Sequence, residues 1–197
     1  MVNPRTIFVA FGHKKRVGKD LASRLLCSYL RLHRKGSDIQ FHGYADKGKA
    51  ICYDLYKWAG MQPAQYYEEH QNEKEIVLPK LNMTPRDLWI RFMSEAVRDR
   101  VYDLTWVNYL LHTVHCDICI IKDLRFPLEA DSIHEHGGYV YRIDRNDAPN
   151  DSDLADDALL DYTSWDGVIP NHGSLNQFNT QIELLGANLL LQLPKKD

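Results

Sequence analysis

Apolar positions along the chain fall into two rhythms: short unbroken runs, and longer stretches that repeat every three or four residues. "TIFVAF", residues 6–11, is unbroken and reads as a strand buried on both faces. A basic turn bracketed by glycines follows. Then Leu21, Ala22, Leu25, Leu26, Tyr29 and Leu30 recur at helical spacing as far as the basic "RLHRKG", where Gly36 is the stop. "IQFHGY" (39–44) is a second short strand, and residues 47–60 read as a helix stopped at Gly60. Residues 61–80 are polar and carry no clear period. "TPRDLWIRFMSEAVRDR" (84–100) predicts a helix, with Thr84 as N-cap, Pro85 at the first helical position and Asp87 three after the cap. A further helix covers 105–113. "DICIIKD" (117–123) is a buried strand, "PLEADSIHEHGG" (127–138) a helix ended by glycines, and "YVYRIDR" (139–145) a strand. An acidic loop at 144–157 leads to a last strand, "DGVIPN" (166–171), and a closing amphipathic helix at 174–192.

Strands alternating with helices predict an α/β fold, a five-stranded parallel sheet with helices on both faces. In such sheets ligands bind beyond the carboxyl ends of the strands, which is where the turn after the first strand lies. No repeat and no linker interrupts the pattern, so residues 1–197 read as a single domain.

Composition narrows the partners. A chain of 197 residues builds a conventional core, and 44% hydrophobic with 26% charged residues is globular usage. A net charge of −3 argues against a nucleic-acid polymer held by bulk electrostatics. "MVNPRTIFVAFGHKK" makes a poor signal peptide, and no window approaches the roughly 20 apolar residues of a membrane span. Cys27, Cys52, Cys116 and Cys119 are too few and too scattered for a secreted disulfide framework. The expectation is a soluble, cytoplasmic protein without a membrane partner.

The turn "FGHKKRVGKD" (11–20) carries the chemistry. A phosphate-binding loop is written G-x-x-x-x-G-K-[ST] between a strand and a helix. Counting back from Gly18-Lys19 puts His13 at the first glycine position, one after Gly12, and Asp20 at the hydroxyl position. The essential physics survives. Gly18 permits close backbone approach, successive N–H groups point inward, and a helix N-terminus favours an anion. Lys19 reaches the β/γ-phosphates, Lys15 and Arg16 add charge, and Asp20 is a hard oxygen ligand suited to Mg²⁺. The competing reading is a strand–turn–helix with solvated basic residues. His13 is either a tolerated replacement or the sign of a loop one residue longer.

Further motifs stand in order behind the loop. "KKRVGKD" resembles the "KRSGKD"-type loop of the bacteriophage deoxynucleoside monophosphate kinases, P-loop kinases with Asp in place of Ser or Thr; phosphomevalonate kinases of animals have a similar loop. "YADKGK" resembles that family's "FAD-x-x-K", and "TPRDLW…SEAVRDR…TWVNYL" its "TPR…E-x-x-R…W" region. "IIKDLRFPLEADSIHEHGGYVYRIDR" resembles "I-x-D-x-RFPNEA-x-x-I…GG-x-x-x-R-x-x-R", and "ALLDYTSWDGVIPNHGSLNQF" resembles "AL-x-x-Y-x-x-F-D-x-V-I-x-N-x-G-x-L". The likeness spans most of residues 6–185. The chain departs from it at His13 and at Asp153-Leu154-Ala155-Asp156, where the family shows His-x-Ser-Glu.

The resemblance implies a P-loop kinase fold with a helical substrate-binding insertion (about 61–113) and a lid (about 144–160). It implies ATP and Mg²⁺ as cofactors and a deoxynucleoside monophosphate as substrate, with a homodimer plausible. The loop His13, Lys14, Lys15, Arg16, Val17, Gly18, Lys19, Asp20 and Leu21 would hold the donor, with Asn171 on the adenine side. Asp123 ends an apolar strand and either meets the metal beside Asp20 or caps the next turn. Arg125 binds the acceptor or the transferring phosphate by resemblance, against a surface ion pair. Arg142 and Arg145 stand where such kinases place lid arginines, which join Lys19 and Arg125 as catalytic candidates. Asp46 and Lys49 follow the second strand, on the acceptor side, or are simply charges at a helix start. Arg86 and Arg98 lie twelve apart, about 18 Å along a straight helix, so Arg98 is favoured for the acceptor phosphate and Arg86 for an outer contact, unless the helix breaks between them. Trp106 stacks on a base or belongs to the core.

"HCDIC" suggests metal or redox chemistry, but residues three apart in a strand face opposite sides, so Cys116 and Cys119 read as buried structural residues. The basic "RLHRKG" is expected from the helix dipole alone. The rival functions are another small-molecule phosphate kinase, of phosphomevalonate type, and a nucleotide-binding module without transfer.

Overall fold

The computed structural model describes residues 6–145 and 158–192. Residues 146–157, with Asp153–Asp156 and most of the expected lid, lie outside them. The described residues fall into two compact units, Tyr44–Thr113 and the remainder of the chain on either side of it.

The larger unit is built on the apolar runs. Strands β1 (Ile7–Gly12), β2 (Ile39–His42), β3 (Ile118–Ile121), β4 (Tyr139–Asp144) and β5 (Gly167–Pro170) form one sheet in the order β2-β3-β1-β4-β5. Every pairing is parallel, with Val9 set between Ile120 and Tyr139. Alternation decides the two faces. Val9, Phe11, Ile118, Ile120, Tyr141 and Ile143 pack with Leu26 and Leu30 of α1 (Lys19–His33), one layer over the sheet. The C-terminal helix, Leu175–Gln192, adds Phe178, Ile182, Leu185 and Leu189 to that layer. The helix Pro127–Glu135 packs on the other face, where Phe8 meets the His136 ring edge-on. The α/β fold with a five-stranded parallel sheet covered on both faces is therefore present.

The smaller unit is helical. It holds α2 (Ala45–Tyr56), α3 (Ala64–Glu69), α4 (Pro85–Trp89) and α5 (Thr105–Thr113), so the helix after Lys19–His33 begins two residues before its expected start. Its core is Cys52, Met61, Tyr67, Leu88 and Trp89. The stretch without period resolves into α3, a 3₁₀ turn at Gln71–Glu75 and a bridge from Leu78 to Met83. α4 begins with the capping box expected of Thr84: Asp87 N donates to Thr84 Oγ1 at 3.0 Å, and the Thr84 amide donates back to Asp87. The helix does not continue regularly to residue 100. From Ile90 to Arg98 it widens to a π-helix, with Asp99 N donating to Ser94 O. In its middle Trp106 Nε1 donates to Met93 O at 3.0 Å, giving that carbonyl a partner from another helix. The hydrophobic spacing of the sequence does not distinguish the two windings.

One sequence inference is corrected. The chain bends at Cys116 and Asp117, before β3 starts, so strand alternation does not apply to Cys116. The Cys119 thiol donates to Cys116 and holds it below its ordinary range; both residues are buried and none of the four cysteines is in a disulfide. No described helix is long and apolar enough to cross a membrane.

Candidate active site

At the carboxyl end of β1 the chain makes the turn that carries the loop motif. Three of its residues have positive φ: His13 at 100°, Arg16 at 58° and Gly18 at 106°. Three left-handed residues within six turn the backbone sharply between β1 and α1, which starts at Lys19 directly behind the turn. Val17 is the anchor, 1% exposed and part of the sheet core, so the loop is pinned from beneath. Lys14 and Lys15 are half-buried, and Arg16, Asp20 and Leu21 are exposed. Asp20 lies in the first turn of α1.

Lys19 folds back over the loop. Its Nζ donates to His13 O at 2.7 Å and to Lys14 O at 2.5 Å. His13 is buried, and its Nδ1 donates to Ile143 O at 3.3 Å. Burial, then Arg142 and Lys14, lower its pKa, while the Ile143 carbonyl and Asp144 oppose them.

Asn171, expected on the adenine side, also bears on the loop. Its Nδ2 donates to Val17 O at 2.8 Å, and its amide to Asp144 O at 2.7 Å. A Cβ on Gly18 would lie 2.8 Å from that same Nδ2, so glycine serves both the turn and the fit. Sequence reading missed this link, since Asn171 and Val17 are 154 residues apart.

Arg142 Nη2 pairs with Asp144 Oδ1 at 3.0 Å, and His172 stands 3.6 Å from the other oxygen. Arg145 Nη1 reaches Arg16 O at 3.5 Å, at the limit of a hydrogen bond. Asp123 follows β3. A Cβ on Gly43, at the end of β2, would lie 2.7 Å from Asp123 Oδ2, so the close approach depends on glycine. Behind Asp123, Glu129 accepts from the amides of Arg125 (2.6 Å) and Phe126 (3.1 Å), fixing the backbone that carries Arg125. Burial, with Asp123 adding to it, pushes the Glu129 carboxyl up to about 8 against those two donations. Nothing in the sequence singles out Glu129 beyond its place in the "RFPLEA" run.

The acceptor candidates lie in the helical unit. Asp46 and Lys49 occupy the start of α2, with Lys49 Nζ 5.1 Å from the centroid of the Trp89 ring. Arg86 pairs with Glu75, and Arg98 with Asp99 at 2.8 Å. Trp106 is half-buried and packs near Phe92, with its ring edge above Gly48.

No family profile matches the chain. The chain is 39% identical over 155 residues to a protein of Acanthamoeba polyphaga mimivirus named "Putative deoxynucleotide monophosphate kinase", a match covering 71% of this chain and 78% of that one. Two solved structures of plasmid partition proteins from Borrelia burgdorferi are more distant. One, with AMPPNP bound, is 11% identical at a TM-score of 0.42, covering 96% of this chain and all of its own. The other is 10% identical at 0.36, covering 93% and 99%. At those scores neither bears on the assignment, which rests on the viral relative. By that relationship the chain belongs to the deoxynucleotide monophosphate kinase family.

Proposed function

We propose that the protein transfers the γ-phosphoryl group of ATP to a deoxynucleoside 5′-monophosphate, with Mg²⁺, giving the diphosphate and ADP. The observation that carries the proposal is the loop: a turn with three left-handed residues, closed by Lys19 at the start of α1, with Asp20 in the hydroxyl position, in a member of this family.

The residues suit a triphosphate. Lys19 already directs its ammonium at two loop oxygens, and phosphate oxygens would replace those carbonyls as its partners. Asp20, exposed in the first turn of α1, and Asp123, at the end of β3, would supply hard oxygens for Mg²⁺. The bound ion would neutralise charge on the β- and γ-oxygens. Lys14, Lys15 and Arg16 surround the anion with positive charge, and Arg125, Arg142 and Arg145 are the cations assigned to the transferring group. A monophosphate acceptor loses its second proton near pH 6, so no general base is needed and the work falls on charge and alignment. Asp46, Lys49, Arg86, Arg98 and Trp106 are assigned to the acceptor.

The test is ADP production with ATP, Mg²⁺ and each deoxynucleoside monophosphate in turn, modified pyrimidines included. Turnover of at least one is expected, and Lys19→Ala should lower it by about 10³ or more. Turnover of phosphomevalonate alone, or of no acceptor, would sink the assignment. Wild-type rates in Lys19→Ala would show that the site is misplaced.

A further inference from the structure

The phosphate loop keeps glycine's geometry at a place where glycine is missing. His13 has a φ of 100°, which a residue with a side chain holds only when its surroundings impose it. Those surroundings can be named. The residue is 6% exposed, and its ring nitrogen Nδ1 donates to Ile143 O, 130 residues away, at 3.3 Å. A carbonyl only accepts, so Nδ1 carries the proton. Nε2 is then a buried lone pair, with no hydrogen-bond partner among the described residues. The His13 carbonyl meanwhile accepts from Lys19 Nζ. One residue thus reaches the end of β4 through its ring and the phosphate-binding lysine through its backbone.

We propose that His13 is a positioning residue: its imidazole fastens the phosphate loop to β4 and so presets the loop amides for the phosphates of a nucleotide. Glycine would supply the same backbone angle and no fastening. The inference rests on the reading of this loop as a nucleotide site, and is independent of which acceptor is used.

Asparagine is the discriminating variant. It tolerates positive φ, and its Nδ2–H stands as many bonds from Cβ as Nδ1–H does in the ring. H13N therefore keeps both the angle and the donor, whereas H13G keeps only the angle. The experiment is fluorescence titration of the full chain with N-methylanthraniloyl-ADP and Mg²⁺, each variant first shown to melt cooperatively. H13G should bind about tenfold more weakly through lost preorganisation, and H13N within about threefold of wild type. In turnover assays KM for ATP should rise in H13G and recover in H13N, while KM for the acceptor stays put. Equal affinity of H13G and wild type, or equal losses in H13G and H13N, overturns the proposal. If the wild type binds the probe but phosphorylates no deoxynucleoside monophosphate, the proposed function fails, and the binding series still decides the role of His13.

Discussion

Two residues set the character of the loop. Asp20 is the first. Under the proposed function, a carboxylate where most such loops carry a hydroxyl would bring a full negative charge to the metal and would bind Mg²⁺ more strongly than a neutral oxygen does. Asp20→Asn keeps the size and one oxygen but removes the charge. It should raise the Mg²⁺ concentration for half-maximal rate about tenfold while leaving the melting temperature in place; an unchanged Mg²⁺ curve would take Asp20 out of the metal site. His13 is the second. Positive φ costs a side-chain-bearing residue about 1–3 kcal/mol, and one hydrogen bond returns about 0.5–1.5. Over most of that range the bond alone does not offset the strain, and packing of the buried ring supplies the rest. Its lowered pKa has a definite sign. The fold favours the neutral ring, so the stability it contributes is intact above the unfolded value, about 6.5. It is lost as pH falls from there through the folded pKa. Burial drives this first, then Arg142 and Lys14, while the Ile143 carbonyl and Asp144 oppose it. Melting temperature should therefore drop more steeply on acidification in the wild type than in His13→Asn, and parallel curves would contradict the assignment.

At the scale of elements, the least expected feature is the change of winding after Trp89. The sequence shows a strong helix start, and Thr84, Pro85 and Asp87 behave as their spacing says. The π-winding from Ile90 to Arg98 leaves no mark there, because hydrophobic spacing reports which face is buried and not which carbonyl each amide meets. Trp106 supplies part of the missing information from another helix. Trp106→Phe keeps an aromatic ring, though a smaller one, and deletes the donor to Met93 O. It should cost about 0.5–1.5 kcal/mol, a fall of about 2–4 °C per kcal/mol in a protein of this size. No fall in a thermal melt would show that the bond contributes nothing. The wider winding also withdraws the premise behind the 18 Å separation of Arg86 and Arg98, which assumed one regular α-helix.

For the molecule as a whole, the sheet was the legible part. Unbroken runs as short as "TIFVAF" and "ICII" have the length of strands buried on both faces rather than of helices, and glycine-ended helices between them point to a parallel sheet. Links between distant positions were not legible. The Asn171 amide on Val17 and the His13 ring on Ile143 depend on loop geometry that no local pattern encodes. Gly43 was legible only as part of a short strand; its role in admitting Asp123 needs two strand ends side by side. Cys116 is buried as expected, but not by strand alternation, because the strand begins two residues after it.

The insertion of Tyr44–Thr113 between β2 and β3 bears on the order of folding. β1 must find β3 across a long stretch of chain: Thr6 already hydrogen-bonds Cys116 O, 110 residues later. Closing so long a loop is an entropic barrier paid before any pairing returns energy. The inserted segment makes short-range links of its own, such as Tyr66 to Glu73 and Thr84 to Asp87. If it collapses first, the two strands have a much shorter effective distance to close. Pulsed hydrogen exchange during refolding should then show amides of α2 and α4 protected before those of β1 and β3. Simultaneous protection would mean that the sheet does not wait for the helices.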